Sequence, residues 1–136
     1  MEFEISLRAA YADTDQMGFV HHSNYVKYLE RARWEAFRKI GLTYKEIEDR
    51  GILMPVIDVK LRYLKPIYYD DLVTIKMQPN LISATKLSID YKIFNASEEL
   101  VHIAYTALTF MNKVTKKPCR IPAFIEEAIT ELVCTH

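Results

Sequence analysis

The residues best able to do chemistry lie together in one stretch, Tyr11-Ala12-Asp13-Thr14-Asp15-Gln16-Met17-Gly18-Phe19-Val20-His21-His22-Ser23-Asn24-Tyr25. It holds two nearby carboxylates, a glycine and two adjacent imidazoles. Asp13 and Asp15 continue the parity that the preceding strand pattern would bury, and carboxylates are expensive to bury without partners. They also stand just ahead of a helical pattern, whose first unpaired N–H groups favour negative charge. That placement suits a carboxylate that stays ionised at neutral pH. Gly18 permits a tight turn or a close approach of backbone to ligand. These are ingredients of acyl transfer: a helix N-terminus offers donors to a developing oxyanion, and an ionised aspartate offers a nucleophile or a base. A plainer role fits the same residues, because aspartate between strand and helix commonly serves as a turn or cap residue.

The elements that must position this stretch follow from periodicity. Over residues 2–11, Phe3, Ile5, Leu7, Ala9 and Tyr11 alternate with polar residues, which predicts a half-buried strand. From Ser23 or Asn24, both candidate N-caps, the period becomes helical, with Tyr25, Tyr28, Leu29, Ala32, Ala36 and Ile40 on one stripe and Gly41 just past the end. Trp34 points away from that stripe. Arg33, at its edge, is expected to pair with an acidic neighbour. A short helix over 43–50 ends at Gly51.

Strand patterns then dominate. Ile57, Val59, Leu61 and Tyr63 oppose Asp58, Lys60 and Arg62; similar alternations cover 73–77 and 85–93. Residues 100–111 are apolar on both faces, as in a strand covered on both sides. Pro122 opens a final helix carrying Phe124, Ile125, Ala128, Ile129, Leu132 and Val133. Four consecutive strands with short connections favour antiparallel pairing. One long helix against them gives an α+β layer architecture.

Composition narrows the field. The chain has 136 residues, with 18 Lys and Arg against 18 Asp and Glu, so one domain is expected and a nucleic-acid partner is not. No apolar run is long enough for a membrane span, and the acidic N-terminus lacks a signal-peptide pattern. Cys119 and Cys134 form no metal-ligand spacing, and His21, His22, His102 and His136 form no zinc motif, so no metal is expected. These features suggest a cytoplasmic protein with reduced thiols.

The Tyr11–Tyr25 stretch resembles the signature of the 4-hydroxybenzoyl-CoA thioesterase family. It is most similar to the bacterial acyl-CoA thioesterase branch, with its pattern Tyr-x-Asp-Thr-Asp-x-x-Gly-x-Val-x-His-x-x-Tyr. The likeness continues through Tyr28-Leu29-Glu30-Arg31-Ala32-Arg33, Leu61-Arg62-Tyr63 to Pro66, and Tyr69-Asp70-Asp71. The resemblance implies a hotdog fold over residues 1–136, an antiparallel sheet wrapped around one long central helix. It implies an acyl-CoA thioester hydrolase without a cofactor, with acyl-carrier-protein thioesters as another possible substrate. It also implies a homodimer or homotetramer with sites between subunits.

On this resemblance Asp15 matches the catalytic aspartate. His22 matches the position whose backbone N–H polarises the thioester carbonyl, and its side chain is a second candidate assistant. Gly18 and Tyr25 match framework positions and, with Val20 and His21, are expected around the substrate. His21 departs from the pattern, which usually has a bulky aromatic there, and this bears on acyl-pocket shape. Met17, Phe19 and Met54 are further candidate pocket residues. The phosphates of CoA need cations. Lys60 and Arg62 are candidates, as are Lys65 and the group Lys113, Lys116, Lys117 and Arg120. Because one fold hosts several functions, a non-catalytic acyl-CoA or acyl-carrier binding module and a hydratase or dehydratase stand as alternatives.

Overall fold

Long alternating runs pair edge to edge in the computed structural model, which describes residues 3–134, with side chains described to residue 130. The elements are β1 (Phe3–Arg8), α1 (Tyr25–Lys39), α2 (Tyr44–Asp49), β2 (Ile52–Leu53), β3 (Val56–Tyr63), β4 (Leu72–Ser83), β5 (Lys86–Phe94), β6 (Leu100–Asn112), β7 (Pro118–Cys119) and α3 (Ala123–Cys134). The sheet runs β1-β4-β5-β6, with β3 on the far side of β6, and all these pairings are antiparallel. Register places the apolar rows side by side: Ile5 faces Ile75, Ile75 faces Ile93, and Tyr91 faces Ala104. The sheet curls around α1, whose Leu29 and Ala32 are fully buried. This is the hotdog arrangement.

Several details differ from the sequence reading. β1 stops at Arg8. Tyr11 starts a 3₁₀ turn and is 75 % exposed, because the Asp13 carboxylate accepts the Ala10 N–H and bends the chain. The Asn24 side chain does not cap α1; its amide donates to the Asp13 carbonyl instead. Arg33 and Phe37 join the buried face of α1, while Ala36 and Ile40 are only partly buried. Arg33 finds no carboxylate among the described residues and donates to the Tyr91 hydroxyl. Trp34 packs on the Tyr44 ring.

In β3 a bulge falls at Ile57, so Val56 opposes Leu108 and Asp58 opposes Ala107. The extra residue transfers the inward role from Ile57 to Val56, beside Val59, Leu61 and Tyr63. The inward row of β6, His102 to Phe110, is buried, whereas Ile103, Tyr105 and Thr109 on its outer row are only partly covered. The two-residue strands β2 and β7 carried no periodic signal. Pro122 stands just before α3, its carbonyl accepting the Ile125 and Glu126 N–H groups. Glu2, the side chains of Leu132 and Val133, the Cys134 side chain and His136 lie outside the described residues. Among the described residues no helix is long and apolar enough to cross a membrane.

Candidate active site

The stretch from Tyr11 to Asn24 is held as a rigid unit by Asp13. Its carboxylate accepts the Tyr28 hydroxyl at 2.8 Å and the Ala10 N–H at 3.3 Å. Its carbonyl accepts the His21 N–H at 2.8 Å and the Asn24 side-chain amide at 2.8 Å. One aspartate thereby ties the loop to the first turns of α1. Burial, and then the Asp13 carboxylate, push the Tyr28 phenol well above its ordinary pKa, so it stays a donor.

Asp15 sits in the next turn with a different job. Its side chain accepts only the Met17 N–H, at 2.9 Å. Its carbonyl accepts the Gly18 N–H, and its own N–H donates to Phe19. Gly18 has φ +85°, a left-handed conformation that a side chain would strain. This turn presents the half-buried Asp15 carboxylate to a cleft of about 350 Å³. Met17, Phe19, Val20, His22 and Tyr25 line one side; Tyr63, Leu64, Lys65 and Pro66 line the other.

The floor of the cleft is the tip of α1. Residues His22–Asn24 form a 3₁₀ turn that leads directly into the helix. The His21 imidazole caps it, accepting the Ser23 N–H at Nδ1, and stacks on the His22 ring at 4.1 Å. Accepting at Nδ1 requires that nitrogen to be unprotonated. The His22 N–H meets no acceptor among the described residues, whereas its carbonyl accepts the Tyr25 N–H and the Tyr63 hydroxyl. An unpartnered N–H at a helix tip is a ready donor to an anionic oxygen.

An aromatic cluster backs the site. Tyr25, Tyr63 and His102 pack ring against ring, with centroids 4.5–4.9 Å apart. Burial pushes the Tyr25 phenol up to about 12 and His102 down to about 4, so both are neutral at physiological pH. Neither His102 nitrogen has a partner among the described residues.

The structure thus brings together Asp15, Val20, His22 and Tyr25 of the sequence candidates. Gly18 shapes the turn without lining the cleft, and His21 stands behind as the cap. Lys60 and Arg62 alternate to the outer row of β3, where the Lys60 ammonium lies over the Tyr105 ring. Lys65 lines the cleft and pairs with Glu99. Tyr63 and His102 were missed. Their signal was available: both fall on the inward parity of strands, where a phenol or imidazole needs a reason. No group of side chains among the described residues is arranged to hold a metal ion.

Comparison with known proteins shows which family the fold belongs to. The chain is 28 % identical over 123 residues to the acyl-CoA thioester hydrolase YbgC of Escherichia coli O157:H7, covering 90 % of this chain and 92 % of that one. The structure of a DHNA-CoA thioesterase from Staphylococcus aureus superposes with a TM-score of 0.91 at 32 % identity, covering 97 % of this chain and 91 % of that one. A 1,4-dihydroxy-2-naphthoyl-CoA thioesterase from Synechocystis shares the fold, with a TM-score of 0.91 at 21 % identity and 98 % of each chain covered. The family model that describes the thioesterase-like superfamily matches residues 10–129, and the chain belongs to that superfamily.

Proposed function

We propose that this protein hydrolyses acyl-CoA thioesters to a free acid and CoA, with Asp15 as the acting carboxylate and the His22 N–H as oxyanion donor. The observation that carries this reading is a carboxylate and an unpartnered helix-tip N–H on one cleft. The thioester oxygen accepts the His22 N–H, and the α1 dipole favours the charge that develops there. Asp15 then follows one of two courses. It attacks the carbonyl carbon, the C–S bond breaks, and water opens the resulting anhydride. Alternatively it takes a proton from a water that attacks the same carbon. In both courses thiolate leaves; in the first, water opening the anhydride at the Asp15 carbonyl leaves its oxygen in Asp15 and the acid departs with an Asp15 oxygen, and in the second the acid takes its new oxygen directly from water. Tyr63 holds the His22 carbonyl, and through it the orientation of the helix tip.

We also infer a dimer. β3 ends the sheet with its outer edge unpaired and its side chains largely exposed, Val56, Ile57, Val59 and Tyr63 among them. Such an edge invites pairing with another strand, and a two-fold copy closes it without leaving a new one. Lys65, at the mouth of the cleft, is the cation best placed for a CoA phosphate.

Thiol release from a panel of acyl-CoA and acyl-carrier-protein thioesters tests the activity. Stable binding without release would make the chain a binding module, and hydration of an enoyl thioester would make it a hydratase. Single-turnover hydrolysis in heavy-oxygen water separates the two courses, because label enters Asp15 only through an anhydride. Light scattering should give at least twice the 15.9 kDa chain mass.

A further inference from the structure

Arg33 is a buried cation without an anion. Its side chain lies in the core, 6 % exposed, yet no carboxylate comes within 4.0 Å of it among the described residues. Nη1 donates to the Tyr91 hydroxyl at 3.2 Å, and that hydroxyl is bonded to Thr106 Oγ1 at 2.7 Å. Nε has no partner. A guanidinium cannot shed its proton to escape this position, and an unpaired buried charge is costly. On one side Arg33 borders a wholly apolar void beside Phe37, Met77 and Ile129. On the other it lines a groove between α1 and β3.

That groove follows the catalytic cleft along the same two elements. Tyr25 and Tyr63 line the cleft; Val26 and Leu29 on α1, with Val56 and Val59 on β3, wall the groove. The bulge at Ile57 is what turns Val56 inward. Arg33 stands eight residues beyond Tyr25, about 12 Å along the helix axis. Thr106 shares the groove with it. Glu30 also borders the groove, but it is solvent-exposed and forms no ion pair with Arg33. The groove thus has hydrocarbon walls from both elements and borders an unneutralised charge.

We propose that Arg33 is a specificity residue that receives the carboxylate of an acyl group with an anionic far end, its apolar stem lying between α1 and β3. This rests on the thioesterase reading of the cleft. The ligand carboxylate supplies the missing counter-ion, while the methylene stem matches the valine and leucine walls.

The test compares suberoyl-CoA with octanoyl-CoA, equal in carbon number and different only at the far end. The wild-type enzyme should favour suberoyl-CoA by roughly 10- to 100-fold in kcat/KM, the worth of a charge-assisted bond. In Arg33→Met the ratio should collapse toward one, and Arg33→Lys should restore part of it. Free suberate should also inhibit the wild-type enzyme more strongly than octanoate, a measurement that needs no variant. Equal rates on the two thioesters, or a preference for octanoyl-CoA, would overturn the inference while leaving the thioesterase reading intact. An equal loss on both substrates in Arg33→Met, with a change in mass by light scattering, would make Arg33 an interface residue and overturn it as well. Absence of thiol release from any acyl-CoA would overturn both.

Discussion

The two aspartates of the loop should fail in opposite ways when replaced. Asp15→Asn keeps an oxygen acceptor for the Met17 N–H, so the turn survives. It removes the charge that attacks or activates water. General-base catalysis is worth about 10²–10⁴ in rate, and kcat should fall by that order with the melting temperature nearly unchanged. Asp13→Ala removes the acceptor of both Tyr28 and the Ala10 N–H. The Tyr28 hydroxyl is then stranded in a residue only 3 % exposed. Loss of a hydrogen bond to a charged group costs about 1.5–3 kcal/mol, or roughly 5–15 °C in melting temperature for a domain of this size. Thiol release followed by a disulfide reagent and thermal melting, on both variants, complete the comparison. If Asp15→Asn kept kcat within tenfold at a wild-type melting temperature, the assignment of Asp15 would be refuted. It would fare no better if Asp13→Ala behaved like Asp15→Asn.

Other perturbations separate positioning from stability. Tyr63→Phe deletes one hydrogen bond from a half-exposed side chain, so stability should move by less than about 1 kcal/mol while kcat drops several-fold; an unchanged kcat would exclude a positioning role. Gly18→Ala meets no neighbouring atom but must hold φ +85°, costing about 1–2 kcal/mol, measurable by denaturant titration. His102 gives a pH signature. The unfolded chain takes up its proton near pH 6.5, whereas the folded chain refuses it until about pH 4. Stability from this residue is therefore complete above about pH 6.5 and is lost as pH falls toward 4, by up to about 3 kcal/mol. His102→Phe should flatten that part of the urea-midpoint profile, and an unaltered slope would exclude the imidazole as its source.

The loop that builds the site was legible because its determinants are local. The motif Asp13-x-Asp15-x-x-Gly18 was legible through its resemblance to the family signature, and the helical period beginning at Tyr25 indicates where the free N–H groups fall. The sheet was legible from alternation, which also indicated that Lys60 and Arg62 lie opposite Leu61 and Tyr63. What carried them into the candidate set was charge alone. Lys65 reaches the cleft because the chain bends after β3, where the Leu64 and Lys65 N–H groups both donate to the Val101 carbonyl. No periodicity announces that bend. The bulge was hidden for a similar reason: Val56 and Ile57 are both apolar, so either satisfies the pattern, and only pairing with β6 decides between them. Arg33 and His102 were hidden in runs whose neighbours are apolar, and their partners, or lack of them, come from distant strands.

The extra residue at position 57 has a bearing on how this groove can be remodelled. Removing Ile57 would straighten the strand and leave Val56 facing Leu108, whereas replacing Val56 would change the hydrocarbon side chain at the distal end. The pairing from Asp58 to Tyr63 would stay as it is, and so would the ring that holds the helix tip. On the proposed thioesterase reading, the shape of the accepted tail is set at one locus and bond cleavage at the other.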